Sequence, residues 1–171
     1  MPGHDREREF FARCAGGFEE VLAAELAALH CAQVKPVRGG ASFAGTYADG
    51  LRVCLWSRVS TRVLLKLAHA SAHSAQTLYA GARKVPWEKL IAPGATIAMH
   101  ASGRNAALRN TQFTALRVKD AICDALLERT GARPDVDTAA PDVLVNVVVA
   151  GDKATISIDL AGESAGGPAA G

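Results

Sequence analysis

The chain has 171 residues, 49 % of them apolar and 21 % charged, with a formal net charge of +2. That length suits one or two small globular domains, and the composition excludes a disordered polyelectrolyte. No apolar run approaches the ~20 residues a membrane span needs, and the charged residues 6–9 do not form a signal peptide, so a cytoplasmic protein without a membrane partner is expected.

Residues 8–14 are predicted to form a strand ending at Gly16 and Gly17. A helix follows in which Phe18, Val21, Leu22, Leu26 and Leu29 share one face of a 3.6-residue period, with Glu19 and Glu20 in the first turn where they complement its dipole. Segments 31–37 and 41–45 are predicted as strands joined through Arg38, Gly39 and Gly40. A helix over 46–57 is expected to turn Leu51, Leu55 and Trp56 inward, and 62–69 returns as a strand. The order βαββαβ is that of a ferredoxin-like unit, here bounded at 1–72.

The second unit, 73–164, opens with a helix over 74–91 that Pro86 must break, because proline cannot continue the hydrogen-bond ladder. Pro93 and Gly94 form a turn, 96–101 alternates as a strand, and 111–130 is the longest helix, stopped by Gly131. A loop over 132–141 leads to strands 143–149 and 154–160. The first of these is apolar almost throughout and is expected to be central; the second alternates and is expected to be half exposed. A crossover of roughly 40 residues predicts a parallel pair, then an antiparallel hairpin, and so a mixed sheet. The fold class is therefore α+β, with a ferredoxin-like unit before a second α/β unit. Residues 165–171 are expected to be a tail or linker.

Charge is distributed unevenly. From Arg83 to Lys119 there are seven cations against Glu88 alone, a net +6; from Asp120 to Glu163 three cations face nine acids, a net −6. The basic block is the footprint expected for a polyanion, and it surrounds the start of the long helix. There Asn110 or Thr111 is a good N-cap, and Arg104, Asn105 and Arg109 flank free backbone N–H groups that suit a phosphate. On the helical wheel Arg117 shares a face with Asp120 and is expected to pair with it, whereas Lys119 points elsewhere and is preferred as a ligand contact. Arg83 and Lys84, ahead of Pro86, complete the candidate polyanion-binding set of Arg83, Lys84, Arg104, Asn105, Arg109, Asn110 and Lys119. Trp87 is either a base-stacking or a packing residue, with packing preferred.

Catalytic signatures are missing: there is no G-x-G-x-x-G loop after a strand, no P-loop, no G-x-S-x-G elbow and no H-E-x-x-H. Cys14, Cys31, Cys54 and Cys123 have no metal-ligand spacing and are expected as reduced thiols, with no metal bound. The sequence thus offers neither a catalytic nor a cofactor-binding residue.

Four stretches carry a family resemblance: Phe10–Glu20, Gly39–Gly45, Leu55–Leu65 and above all Ser102–Ile122. Together they resemble, from about residue 9 to Ser164, the N-terminal portion of bacterial large-subunit ribosomal-RNA guanine-N2 methyltransferases. The resemblance implies a ferredoxin-like unit followed by a THUMP domain, an RNA-binding fold, ahead of a catalytic domain that uses S-adenosylmethionine. Past Ser164 the sequence departs from the family, giving an Ala- and Gly-rich end where a basic stretch and then the methyl-donor loop and Asn-Pro-Pro motif would follow. The implied partners are a structured ribosomal-RNA stem-loop and a catalytic methyltransferase domain in cis; by itself the chain is expected to methylate nothing. A transfer-RNA modification module, or a docking or self-association module using the acidic block, are the alternatives.

Overall fold

In the computed structural model, which describes residues 6–160, the chain divides into two compact units at Lys66/Leu67, with Asp159 and Leu160 grouped with the first. The tail expected at 165–171 lies outside the described residues.

The first unit holds β1 (Arg8–Arg13), α1 (Glu19–Ala28), β2 (Ala32–Val37), β3 (Gly40–Gly45), α2 (Tyr47–Trp56) and the first half of β4 (Arg62–Ser71). Its strands lie in the order β2-β3-β1-β4, all antiparallel, as a ferredoxin-like unit requires. Phe10 and Phe43 stack at 5.0 Å between ring centroids, and Leu22, Leu26 and Val53 close over them. Gly50 touches the Phe10 ring, so any side chain there would displace it. A capping box starts α2: Thr46 Oγ1 accepts from the Asp49 amide (3.2 Å), and Asp49 Oδ2 accepts from the Thr46 amide (2.8 Å).

The inward faces of these helices are narrower than periodicity predicted. Phe18 and Val21 are half exposed, and Leu55 and Trp56 are 71 % and 67 % exposed. Phe18 sits at the N-cap, outside the helix proper, and Val21 lies about 100° from Leu22 on the wheel. In α2 the sheet is met by Val53 and Gly50, because the absent side chain at Gly50 admits the Phe10 ring; Leu55 then points away.

Glu25 fastens the end of α2 to α1. It accepts from the Ser57 hydroxyl and from the amides of Arg58 (3.0 Å) and Val59 (3.4 Å). Burial pushes its carboxyl up, but the Ser57 hydroxyl and the two amides outweigh this and hold it below its ordinary value of 4.5. A carboxylate depressed on folding stabilises the native state above its unfolded pKa, and that contribution fades as pH falls through the lower folded value. Urea denaturation should therefore show Glu25→Gln less stable than the parent at pH 7, with the gap narrowing toward pH 3. A gap independent of pH would refute this role for the carboxylate.

The second unit, Leu67–Ile158, contains the end of β4, α3 (Ala75–Arg83), α4 (Trp87–Leu90), β5 (Thr96–Ser102), α5 (Thr111–Thr130), β6 (Asp135–Val136), β7 (Val143–Ala150) and β8 (Lys153–Asp159). Its sheet runs β4-β8-β7-β5-β6. β5 is parallel to β7 and to β6, while β7 and β8 form an antiparallel hairpin, so the sheet is mixed as expected. The break at Pro86 and the 111–130 helix also fall where the sequence put them. Thr114, Val118, Ala121, Ile122, Ala125 and Leu126 form the buried stripe of α5, which packs on β5.

Two expectations need correction. The loop 132–141 contains β6, too short to carry a period. β8 is not half exposed: Ser157 and Asp159 are buried, the latter accepting from Arg62 at 2.8 Å. Alternating polarity here marks side chains with partners inside the protein, not a solvent face.

Candidate nucleic-acid interface

The segment from Ser102 to Asn110 is shaped from within. Gly103 leaves β5 at φ +81° with its backbone pressed on the Val149 carbonyl, where a Cβ has no room. Asn105 then ties three pieces of chain together. Its Nδ2 donates to the carbonyls of Ala72 and Gly151, each at 2.8 Å, and its Oδ1 accepts from the amides of Ala107 (3.0 Å) and Leu108 (2.7 Å). Leu108 is fully buried and anchors the loop, which leaves Arg104 and Arg109 on the outside. Asn110 caps α5, its Oδ1 accepting from the amides of Gln112 (2.8 Å) and Phe113 (3.3 Å).

Arg109 Nε donates to the Ala106 carbonyl at 3.1 Å, an anchor within its own turn that keeps the terminal nitrogens pointing outward. Among the described residues Arg104 has no hydrogen-bond or ion-pair partner and Arg109 no ion pair. Two unneutralised guanidinium groups thus flank the positive end of a 20-residue helix, a concentration of charge that suits phosphate oxygens. Asp152, next to the tied Gly151, lies 3.8 Å from the His73 ring and pairs with neither arginine.

The predicted set does not converge as a whole. Asn105 is the fastener of the loop, with both ends of its amide engaged internally, and it presents nothing to a ligand. Asn110 likewise spends its side-chain oxygen on the cap. Lys119 is half-buried on the flank of α5 and has no partner among the described residues. Arg83 and Lys84 lie at the opposite end of α5. Arg83 pairs with Glu128, eighteen residues from Asn110 and hence about 27 Å along the helix. The separation arises because α3 runs alongside α5 in the same direction: the Tyr79 hydroxyl donates to Asp124 (2.5 Å), and Arg129 donates to the carbonyls of Arg83 and Val85.

Arg117 behaves as the wheel predicted, 3.5 Å from Asp120, with its guanidinium 5.0 Å above the Tyr79 ring. Trp87 is fully buried, and its indole N–H donates to the Ala82 carbonyl at 2.8 Å, so it cannot stack on a base. What sequence reasoning missed is Phe113 in the first turn of α5. It is 43 % exposed, with Leu116 beside it at 46 %. Both fall on the wheel opposite Val118, a signal available from spacing alone.

A family model described as the THUMP domain matches residues 72–159, and a second, described as the RlmL ferredoxin-like domain, matches 9–64. The chain belongs to the THUMP family. Among curated relatives, a "Ribosomal RNA large subunit methyltransferase K/L" from Syntrophotalea carbinolica is 42 % identical over 160 residues, covering 94 % of this chain and 22 % of the relative. The THUMP-containing chain thus spans about a fifth of that protein's length. A Listeria monocytogenes protein described as a "predicted N6-adenine-specific DNA methylase" superposes with a TM-score of 0.79 at 23 % identity, covering 90 % of this chain and 40 % of its own. A 4-thiouridine synthetase, solved as an RNA complex with bound ATP, gives 0.59 at 17 % identity, covering 90 % and 41 %. These two likenesses establish the fold alone. No helix among the described residues is long and apolar enough to cross a membrane.

Proposed function

We propose that this chain is the RNA-binding targeting module of an S-adenosylmethionine-dependent ribosomal-RNA guanine-N2 methyltransferase, and that it positions a structured stem-loop for a catalytic domain in cis. The supporting observation is the pair of exposed, unneutralised arginines, Arg104 and Arg109, on a fixed loop at the mouth of α5 in a THUMP-family unit. Arg104, Arg109 and Lys119 contact phosphates, with the capped helix start adding its partial charge; Lys84 meets the RNA only where the ligand runs the length of α5. The site reads shape and backbone, as A-form RNA hides its base edges in a deep groove. S-adenosylmethionine belongs to the catalytic domain, and a ribosomal-RNA substrate places the reaction in the cytoplasm.

The rival reading, an acidic docking block, is less favoured because several of those acids have partners within the protein. Asp120 pairs with Arg117, Glu128 with Arg83 and Asp159 with Arg62, and Asp142 accepts from the Thr96 amide.

A salt titration of binding to a large-subunit ribosomal-RNA stem-loop tests the proposal. With about three phosphate contacts, log K should fall against log[salt] with a slope of about −2 to −3. Binding that is absent, or indifferent to salt, would overturn it, and preferential binding of transfer RNA in competition would redirect the module to transfer-RNA modification.

A further inference from the structure

Phe113 and Leu116 leave much of their apolar surface in solvent. Large apolar side chains exposed on the first two turns of a helix cost solubility, and here they follow Arg109, which has no ion pair among the described residues, by four and seven residues. Phe113 follows the Asn110 cap by three residues and donates its amide to it, which holds its backbone at the helix start, directly after the segment carrying Arg104 and Arg109. Leu116 lies one turn on, at i+3, and extends the same patch. The arginines of the neighbouring segment complement a polyanion, and the flat Phe113 ring complements the face of a base.

Building on the phosphate-binding reading above, we propose that Phe113, backed by Leu116, is a stacking platform for an unpaired base. The preferred ligand is then an RNA with a bulged or single-stranded nucleotide beside a paired stem. A fully paired helix keeps its bases stacked on one another and offers the ring nothing. An unpaired nucleotide lets the base turn onto Phe113 while its flanking phosphates remain with Arg104 and Arg109.

The test uses the 171-residue chain with two RNAs of equal length, one a perfect duplex stem and one carrying a single bulged 2-aminopurine. The bulged RNA should bind more tightly, with 2-aminopurine fluorescence changing on binding. Phe113→Ala should lose roughly tenfold on the bulged RNA and abolish the fluorescence change, with the duplex affinity and the salt slope unaltered. Phe113→Trp should restore both. Because Phe113 is outside the core, thermal unfolding of these variants should match the parent, which separates lost stacking from lost folding. Equal binding of both RNAs by parent and Phe113→Ala, with Arg109→Glu weakening both, overturns the platform and leaves phosphate binding standing. Failure of the parent to bind either RNA overturns the two together.

Discussion

The double variant Arg104→Glu/Arg109→Glu is expected to lose at least 100-fold in affinity for a ribosomal-RNA stem-loop, with the fold intact. Each guanidinium offers charge-assisted hydrogen bonds worth about 1.5–3 kcal/mol, so removing both amounts to two or more decades in the binding constant. Glutamates at these positions would also repel phosphate and oppose the positive end of α5. The salt slope should become shallower by about two, one per lost contact. Stability should change by no more than about 0.5 kcal/mol, since neither side chain packs in the core. A control with a single charge reversal is Arg133→Glu, exposed beyond the other end of α5. Arg129 is unsuitable as a control because it holds the carbonyls of Arg83 and Val85 and pairs with Glu88 at 2.9 Å. Equal losses from Arg133→Glu and the double variant would mean diffuse attraction, with no site at α5.

Gly103→Ala should be the most damaging single substitution in the THUMP unit. Two costs coincide there: the left-handed backbone at φ +81° and a Cβ driven into the Val149 carbonyl. Strain of 1–3 kcal/mol and overpacking of similar size add to roughly 2–6 kcal/mol, a large share of a small domain's stability. Gly94 is the internal comparison. Its φ is +83°, but a Cβ there meets nothing within 4 Å, so Gly94→Ala should cost only about 1 kcal/mol. Urea denaturation of the two variants decides the matter, and equal midpoints would show that the Val149 contact yields without cost.

Local signals read the fold well. Thr111–Thr130 emerged with both ends because an apolar stripe, an Asn cap and a terminal glycine agree there, and Pro86 broke its helix on chemistry alone. The parallel pairing of β5 and β7 followed from the length of the crossover. Less legible was anything decided by what lies opposite. The α2 face turns on Phe10 filling the space left by Gly50, and the polarity of β8 turns on Arg62 reaching Asp159. The candidate site divides the same way. Arg104 and Arg109 are near in sequence and stay near in space, whereas Arg83 and Lys84 are carried to the far end of α5 by the parallel course of α3, which charge counting cannot register. The structural role of Asn105 was not legible, since its partners Ala72 and Gly151 are 33 and 46 residues away.

That amide has a kinetic corollary. A loop already braced at four points surrenders little backbone freedom when RNA arrives, and only the tips of two arginines need to come to rest. Capture should then be limited by how often the partners collide in the right orientation, hastened by charge, and not by the time a floppy segment takes to organise itself. Changes of charge around this loop would be felt in arrival, and uncharged changes in residence on the RNA.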